Sequence, residues 1–448
     1  MKKIIFLAIV ASIGGFLFGF DTAVISGTTD LVKSQYALDD VLQGWYVSSG
    51  LVGCVFGVIV AGFASDKFGR KKALLMSAIL FSLSAVGCAV ASDFTYLVTS
   101  RLIGGIGVGV ASMLSPMYIS EIAPQSKRGM LTSLYQLAIT VGILIAFLSN
   151  AFIQDFSLNS SLSEGLISKI FVSEQWRGML GAETIPALLF FVLLLFIPAS
   201  PRWLQSKGRT EEADAIIKKY NIESAKENQT HSEQGDQSKK YFKNRGIRIA
   251  IIAGAILAVL TQTSGINAIM YYGNSILQSG GADSNLAFQG QVLIGIINVL
   301  FTFIAIFTID KIGRKKLLYI GVTTLIISLF LVGLMFYFNA SMELKMLFIL
   351  TFVAGFAFSY GPVIWVLLSE LYPTEIRGRA MSIAVLSLWI ANTVVGQLVP
   401  WLRSEISEHG IFWLFAIFCL PTYYIAKKYL PETKGKSLEE IEEYWMNK

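Results

Sequence analysis

A chain of 448 residues in which 54% are hydrophobic and only 15% are charged has too little polar surface for a water-soluble domain of that size. Lipid is its expected solvent, and the net charge of +6 then reflects how lysine and arginine are shared among loops, with no nucleic-acid partner required. The three cysteines fall singly in apolar stretches and the two histidines in polar ones, which argues against a disulfide framework, a metal site or a cofactor.

Apolar runs of about 20 residues, enough to cross a bilayer as a helix, recur along the chain. About twelve are predicted, centred near Val10, Val55, Leu83, Val108, Ile139, Phe190, Ala258, Ile296, Ser328, Phe356, Val385 and Phe418. The first, after Met1-Lys2-Lys3, shares the basic flank of a signal peptide, but its apolar run continues to Phe20 and reads as a retained helix. No segments of about ten alternating residues mark a membrane barrel. The expected fold is all-α with twelve transmembrane helices in two halves: a six-helix bundle over 1–204, a cytoplasmic linker over 205–246, a second six-helix bundle over 247–430 and a tail helix over 431–448. Within the linker, Thr210 to Lys219 opens on a possible cap and reads as a short helix, and the polar stretch from Ser224 to Lys240 is expected to be mobile.

Lysines and arginines concentrate in alternate connections, among them 67–72, 127–128, 311–316, 377–379 and 427–428. The positive-inside rule therefore places both termini and the linker in the cytoplasm, with the chain in the cell membrane and the bilayer as its partner.

Two basic motifs are nearly identical, Asp66-Lys67-Phe68-Gly69-Arg70-Lys71-Lys72 and Asp310-Lys311-Ile312-Gly313-Arg314-Lys315-Lys316. At a similar offset Ser120-Glu121 leads into Lys127-Arg128-Gly129, and Ser369-Glu370 into Ile376-Arg377-Gly378. A weaker pair, Pro198-Ala199-Ser200-Pro201 and Pro431-Glu432-Thr433-Lys434, follows the last span of each half. Gly69 and Gly313 are expected to turn the chain. Asp66 with Arg70, and Asp310 with Arg314, stand one helical turn apart, and Glu121 and Glu370 are candidate acceptors for the arginines. With Arg128 and Arg377 they read as a cytoplasmic gate whose charge pairs break in another state.

Asp21 lies deep in the first span, where an ionisable group costs at least about 2.5–3.5 kcal/mol and is paired or functional. Arg101 in the fourth span is its expected partner, with Gly105 and Gly109 at the following turns letting a neighbouring helix come close. A carboxylate that alternates between arginine and a proton is a coupling device; a static buried pair is the competing reading. Glu183, beside Pro186, is a second acidic candidate. Amides and aromatics interrupt other spans at Gln136, Gln262, Asn267, Tyr271, Asn298, Trp365 and Trp389. Neutral amides donate and accept, which suits hydroxyls, and indole faces suit the C–H faces of a sugar ring. On an ideal helix Gln262 and Asn267 stand about 140° apart, unless Gly265 breaks the helix; Gly361-Pro362 offers a similar break.

Together Gly15 to Asp21, both basic motifs, Arg101 to Gly109, Pro201-Arg202-Trp203, Gly265-Ile266-Asn267, Tyr271-Tyr272, Gly361 to Trp365 and Pro431 to Gly435 resemble the sugar porter family of the major facilitator superfamily over essentially the whole chain. The resemblance implies the major facilitator fold, alternating access, and a monosaccharide site between the halves. Asp21 would be the proton site. Gln136, Gln262, Asn267, Asn298 and Trp365 would bond sugar hydroxyls, with Phe18, Tyr271 and Trp389 packed around them. The chain departs from the family at Thr261 and Leu388, where glutamines are common, at Tyr360, where a tryptophan is common, at Ala199, where a glutamate is expected, and at Ile306, which stands where the first half has Gly62. The expected activity is import of a monosaccharide by proton symport, by a functional monomer. A passive sugar or polyol carrier is the alternative, a sugar receptor would need a longer tail, and no nucleophile, base and orienter arrangement suggests an enzyme.

Overall fold

With no water inside a bilayer to satisfy backbone N–H and C=O groups, only internally bonded helices or closed barrels can cross it. The computed structural model describes residues 2–124, 127–162, 164–222, 241–373, 376–436 and 438–448, and every regular element among them is helical. The expected mobile stretch, 224–240, lies outside the described residues, as does the side chain of Arg128.

Helices α1 (Lys2–Val24), α2 (Thr29–Tyr36), α3 (Asp40–Phe68), α4 (Arg70–Ala89), α5 (Phe94–Ile122) and α6 (Arg128–Asn159) follow in order, and α7 (Trp176–Gly181) with α8 (Thr184–Phe196) forms the sixth span. Two short helices, α9 (Pro201–Ser206) and α10 (Thr210–Tyr220), come next. The seventh span is divided into α11 (Arg245–Thr263) and α12 (Ile266–Ser279). Then come α13 (Ser284–Ile312), α14 (Arg314–Tyr337), α15 (Met342–Gly355), α16 (Gly361–Glu370), α17 (Arg377–Cys419), α18 (Pro421–Lys428) and the tail helix α19 (Leu438–Met446). Among the described residues, eleven segments are long and apolar enough to cross a membrane. The last of them spans 52 residues and contains Ser407 in a left-handed conformation (φ 61°), so it supplies the expected eleventh and twelfth crossings.

Local chemistry sets the helix ends. The Asp39 and Asp93 carboxylates accept from the backbone N–H groups of Leu42 (2.7 Å) and Tyr96 (2.9 Å), and the Asn244 amide oxygen accepts from Ile247 (3.1 Å). Gly69 and Gly313, at φ 84° and 98°, turn the chain inside the two basic motifs, where a side chain would be strained. The expected hydroxyl cap of α10 does not form. Arg209 occupies the N-cap position and reaches forward to Glu212 at 2.7 Å.

The chain forms two compact units that cut across the sequence halves. One gathers the described part of Met1–Ala225 with Ala268–Val299 and Gly396–Trp401; the other gathers the described part of Lys226–Asn267 with Leu300–Val395 and Leu402–Lys448. The seventh, eighth and eleventh spans therefore each pass from one unit into the other along their length.

In the first unit, helices cross at near backbone contact. A Cβ on Gly105 would meet the Gly50 carbonyl oxygen at 1.9 Å, and one on Gly109 would meet that of Cys54 at 2.3 Å, so α5 lies directly on α3. Gly19 and Gly142 do the same for α1 and α6, against the carbonyls of Ile139 and Phe16. In the second unit the tail helix covers the start of α11: Trp445 is fully buried, and the Tyr241 hydroxyl donates to Glu442 at 2.6 Å. Large apolar side chains such as Phe63, Ile185 and Phe196 are exposed, as lipid-facing groups should be.

Gly105→Leu should destabilise the protein by at least about 1–3 kcal/mol by overpacking the α3/α5 crossing. Gly62→Ala, at a position with nothing within 4 Å of an added Cβ, should be silent. Thermal unfolding in detergent measures both, and equal melting temperatures would contradict the close crossing.

Candidate functional site

The first unit holds a buried ion pair. Arg101 on α5 donates through Nη1 to Asp21 Oδ1 on α1 at 2.6 Å, with the two residues 4% and 9% exposed. Gly50 of α3 makes room for it: a Cβ there would stand 2.9 Å from Nη2 of the guanidinium. Tyr46, fully buried on the same helix, is hydrogen-bonded to Thr28 at 2.8 Å. Glu183 is also buried, within electrostatic range of both members of the pair. Arg101 Nε and Glu183 Oε1 have no hydrogen-bond partner among the described residues. One arginine is thus placed among two carboxyl groups, with one bond formed.

The two basic motifs build the same arrangement twice, once in each unit. Arg70 holds Glu121 through Nε at 2.9 Å and Nη2 at 2.8 Å; Arg314 holds Glu370 through Nη2 at 2.9 Å and Nε at 3.2 Å. The weak third repeat has a use here. The Ser200 hydroxyl donates to the other oxygen of Glu121, and the Thr433 hydroxyl donates to Glu370 at 2.6 Å. The copies differ in their aspartates. Asp310 reaches Arg314 at 2.8 Å, whereas the Asp66 side chain is exposed and its backbone carbonyl accepts from the Trp203 indole at 3.1 Å. Glu432 accepts from the backbone N–H groups of Arg314 and Lys315, both at 3.0 Å, a role that Ala199 in the first copy has no side chain to play. Arg377 bonds the Tyr372 carbonyl at 3.3 Å.

Among the amides, the break at Ser264 and Gly265 (φ 87°) undoes the angular separation that a continuous helix would impose. Asn267 Nδ2 donates to Gln262 Oε1 at 2.5 Å and to Asn392 Oδ1 at 3.0 Å. Sequence reasoning missed Asn392. It stands one turn beyond Leu388, on the face where an amide is lacking, and that spacing was the available signal. Around Gly361 the helix is not broken; a π turn over Phe356–Tyr360 shifts the bonding register ahead of Pro362. Trp365 is half-buried and Trp389 is 2% exposed in this second unit. The first unit holds the other candidates: Phe18 and Gln136 half-buried, Tyr271 and Asn298 buried. Paired neutral amides beside aromatics can exchange hydrogen bonds with a polyhydroxylated ligand at little charge cost. No metal-ligating cluster occurs among the described residues.

The family model described as sugar (and other) transporter matches residues 7–445. The arabinose-proton symporter of Bacillus subtilis (strain 168) is 40% identical, with 100% of this chain and 96% of that protein covered. The D-xylose-proton symporter of Escherichia coli (strain K12) is 37% identical, over 98% and 95%. A solved structure of the xylose transporter from E. coli, described as a partially occluded inward open conformation, superposes with a TM-score of 0.83 at 37% identity, covering 98% of this chain and 100% of that one.

Arg101→Ala should destabilise the protein by about 3–5 kcal/mol, because it leaves a buried carboxylate unanswered. Combining it with Asp21→Asn should restore part of the loss. Unfolding in detergent gives the comparison, and a single variant as stable as the parent would show the pair to be energetically idle.

Proposed function

The chain belongs to the sugar porter family of the major facilitator superfamily, and we propose that it imports an aldopentose together with a proton by alternating access. Relatives named for arabinose- and xylose-proton symport support the substrate class and the coupling. The observation that carries the reading is the buried Asp21–Arg101 pair. A proton on Asp21 removes the charge that Arg101 answers, and a buried arginine then needs another carboxylate. Glu183 is the one within range. Each protonation state of Asp21 therefore favours a different position of Arg101, and with it a different packing of α1 on α5.

Sugar recognition falls to Gln136, Gln262, Asn267, Asn298 and Trp365, with Asn392 added to them, and to Phe18, Tyr271 and Trp389 as packing surfaces. Thr261 and Leu388 hold no amide, and a site with fewer amides suits a ring without the extra hydroxymethyl group of a hexose. The Arg70–Glu121 and Arg314–Glu370 pairs, with their glycine turns, act as the cytoplasmic gate. The lysine and arginine distribution supports a cell-membrane orientation with both termini in the cytoplasm. Functionally the chain divides into the halves 1–204 and 247–430 joined by the linker, a division supported by the duplicated motifs.

Uptake of labelled xylose into proteoliposomes tests coupling. The parent should accumulate sugar when the outside is acidified, whereas Asp21→Asn should lose accumulation and retain counterflow. Accumulation by the variant would remove Asp21 from the proton path, and a parent that only equilibrates sugar would be a passive carrier. Asn392→Leu should raise the half-saturating xylose concentration about tenfold, the worth of one hydrogen bond. In competition with labelled xylose, aldopentoses should displace it better than aldohexoses or inositol.

A further inference from the structure

Helix α17 changes company along its length: up to Val395 and again from Leu402 it groups with one unit, and over Gly396–Trp401 with the other. At that junction stands Gln397, the only polar side chain between Thr393 and Arg403. Its amide uses both of its functions on a single neighbour, α3. Oε1 accepts from the Ser48 hydroxyl at 2.7 Å, and Nε2 donates to the Val41 carbonyl at 3.0 Å, two turns of helix away. The seat is shaped for it. A Cβ on Gly44 would meet the Gln397 carbonyl oxygen at 2.2 Å, one on Gly396 would meet Leu51 at 2.8 Å, and the Gly396 carbonyl accepts from the Tyr272 hydroxyl at 2.6 Å.

A backbone this close, with a two-pronged side-chain bond, is more than lipid-facing packing needs. It lies at the end of α3 opposite the basic motif, the outer end in the orientation proposed above. We infer that Gln397 is a positioning residue for transport: a clasp that holds the outer end of the eleventh span on α3 while the outer mouth is closed and that releases when the mouth opens. The inference rests on the alternating-access reading. A bond made in one state stabilises only that state, so the clasp sets the balance between outward-closed and outward-open forms. Losing it shifts the balance toward opening by about 5- to 30-fold, the expected effect of one to two net hydrogen bonds.

Leu51 reports the change, since it is 7% exposed and packed beside Gly396, and the native cysteines Cys54, Cys88 and Cys419 are buried. Full-length protein carrying Leu51→Cys is reconstituted in liposomes and labelled from outside with a membrane-impermeant maleimide. Gln397→Leu should speed labelling about 5- to 30-fold, and Ser48→Ala, which removes one bond, should give an intermediate rate; both should melt close to the parent. If Gln397→Leu does not fold, Ser48→Ala decides alone. Labelling at the parent rate in whichever of these variants folds, or slower labelling, overturns the clasp. Xylose counterflow by the parent is scored separately. A protein without counterflow whose labelling still rises in Gln397→Leu keeps the clasp and discards the transport reading.

Discussion

An arginine inside a membrane protein must be answered, and in the first unit Asp21 answers Arg101. A charged group taken out of water without a partner costs several kcal/mol, so α1 has to bring Asp21 to within 2.6 Å of the guanidinium and hold it there. Glycines allow the helices to come close enough for it. Gly50 leaves the space the guanidinium occupies, Gly105 and Gly109 let α5 lie on α3, and Gly19 with Gly142 seats α1 on α6. The unpaired Arg101 Nε and the nearby Glu183 carboxyl leave the arrangement one bond short of complete. In the proton-coupled reading proposed above, a proton on Asp21 would complete it differently.

The duplicated basic motif solves a separate problem with one design used twice. In each copy a positive-φ glycine turns the chain, the next arginine grips a glutamate from a later span, and a hydroxyl from the segment after the sixth or twelfth span donates to that glutamate: Ser200 to the oxygen Arg70 leaves free, Thr433 to one that Arg314 Nε shares. The small differences are local. Glu432 caps the start of α14, and its counterpart Ala199 does nothing similar for α4; Asp310 joins the arginine, and Asp66 does not. The shared parts are the ones proposed above as the gate. The residues read as sugar contacts are not duplicated, as expected if a symmetric frame carries an asymmetric ligand.

Several features were legible in the sequence because each is a short-range signal. Span lengths, the glycine turns and the Arg101 to Gly109 spacing depend on residues within a few turns of one another. The Gln262–Asn267 contact was legible only conditionally: periodicity set the two apart, and the φ of 87° at Gly265 brought them together. Asn392 was missed because its partner is 125 residues away, and a lone asparagine in an apolar helix gives no sign of which face will be occupied. Gln397 was missed for the same reason, since its partners lie on α3 at the far end of the chain.

Composition and pattern alone determined that this chain lives in lipid, crosses it about twelve times as helices, and repeats its basic motif, because the bilayer imposes length, apolarity and charge placement on each segment separately. Folding in three dimensions settled which polar groups meet. It gave Arg70 to Glu121 while leaving Asp66 in solvent, put Asn392 against Asn267, and passed the ends of the seventh, eighth and eleventh spans from one unit to the other. Those outcomes depend on helix rotation and on backbone approach at glycines far apart in sequence, and neither is set by the local order of residues.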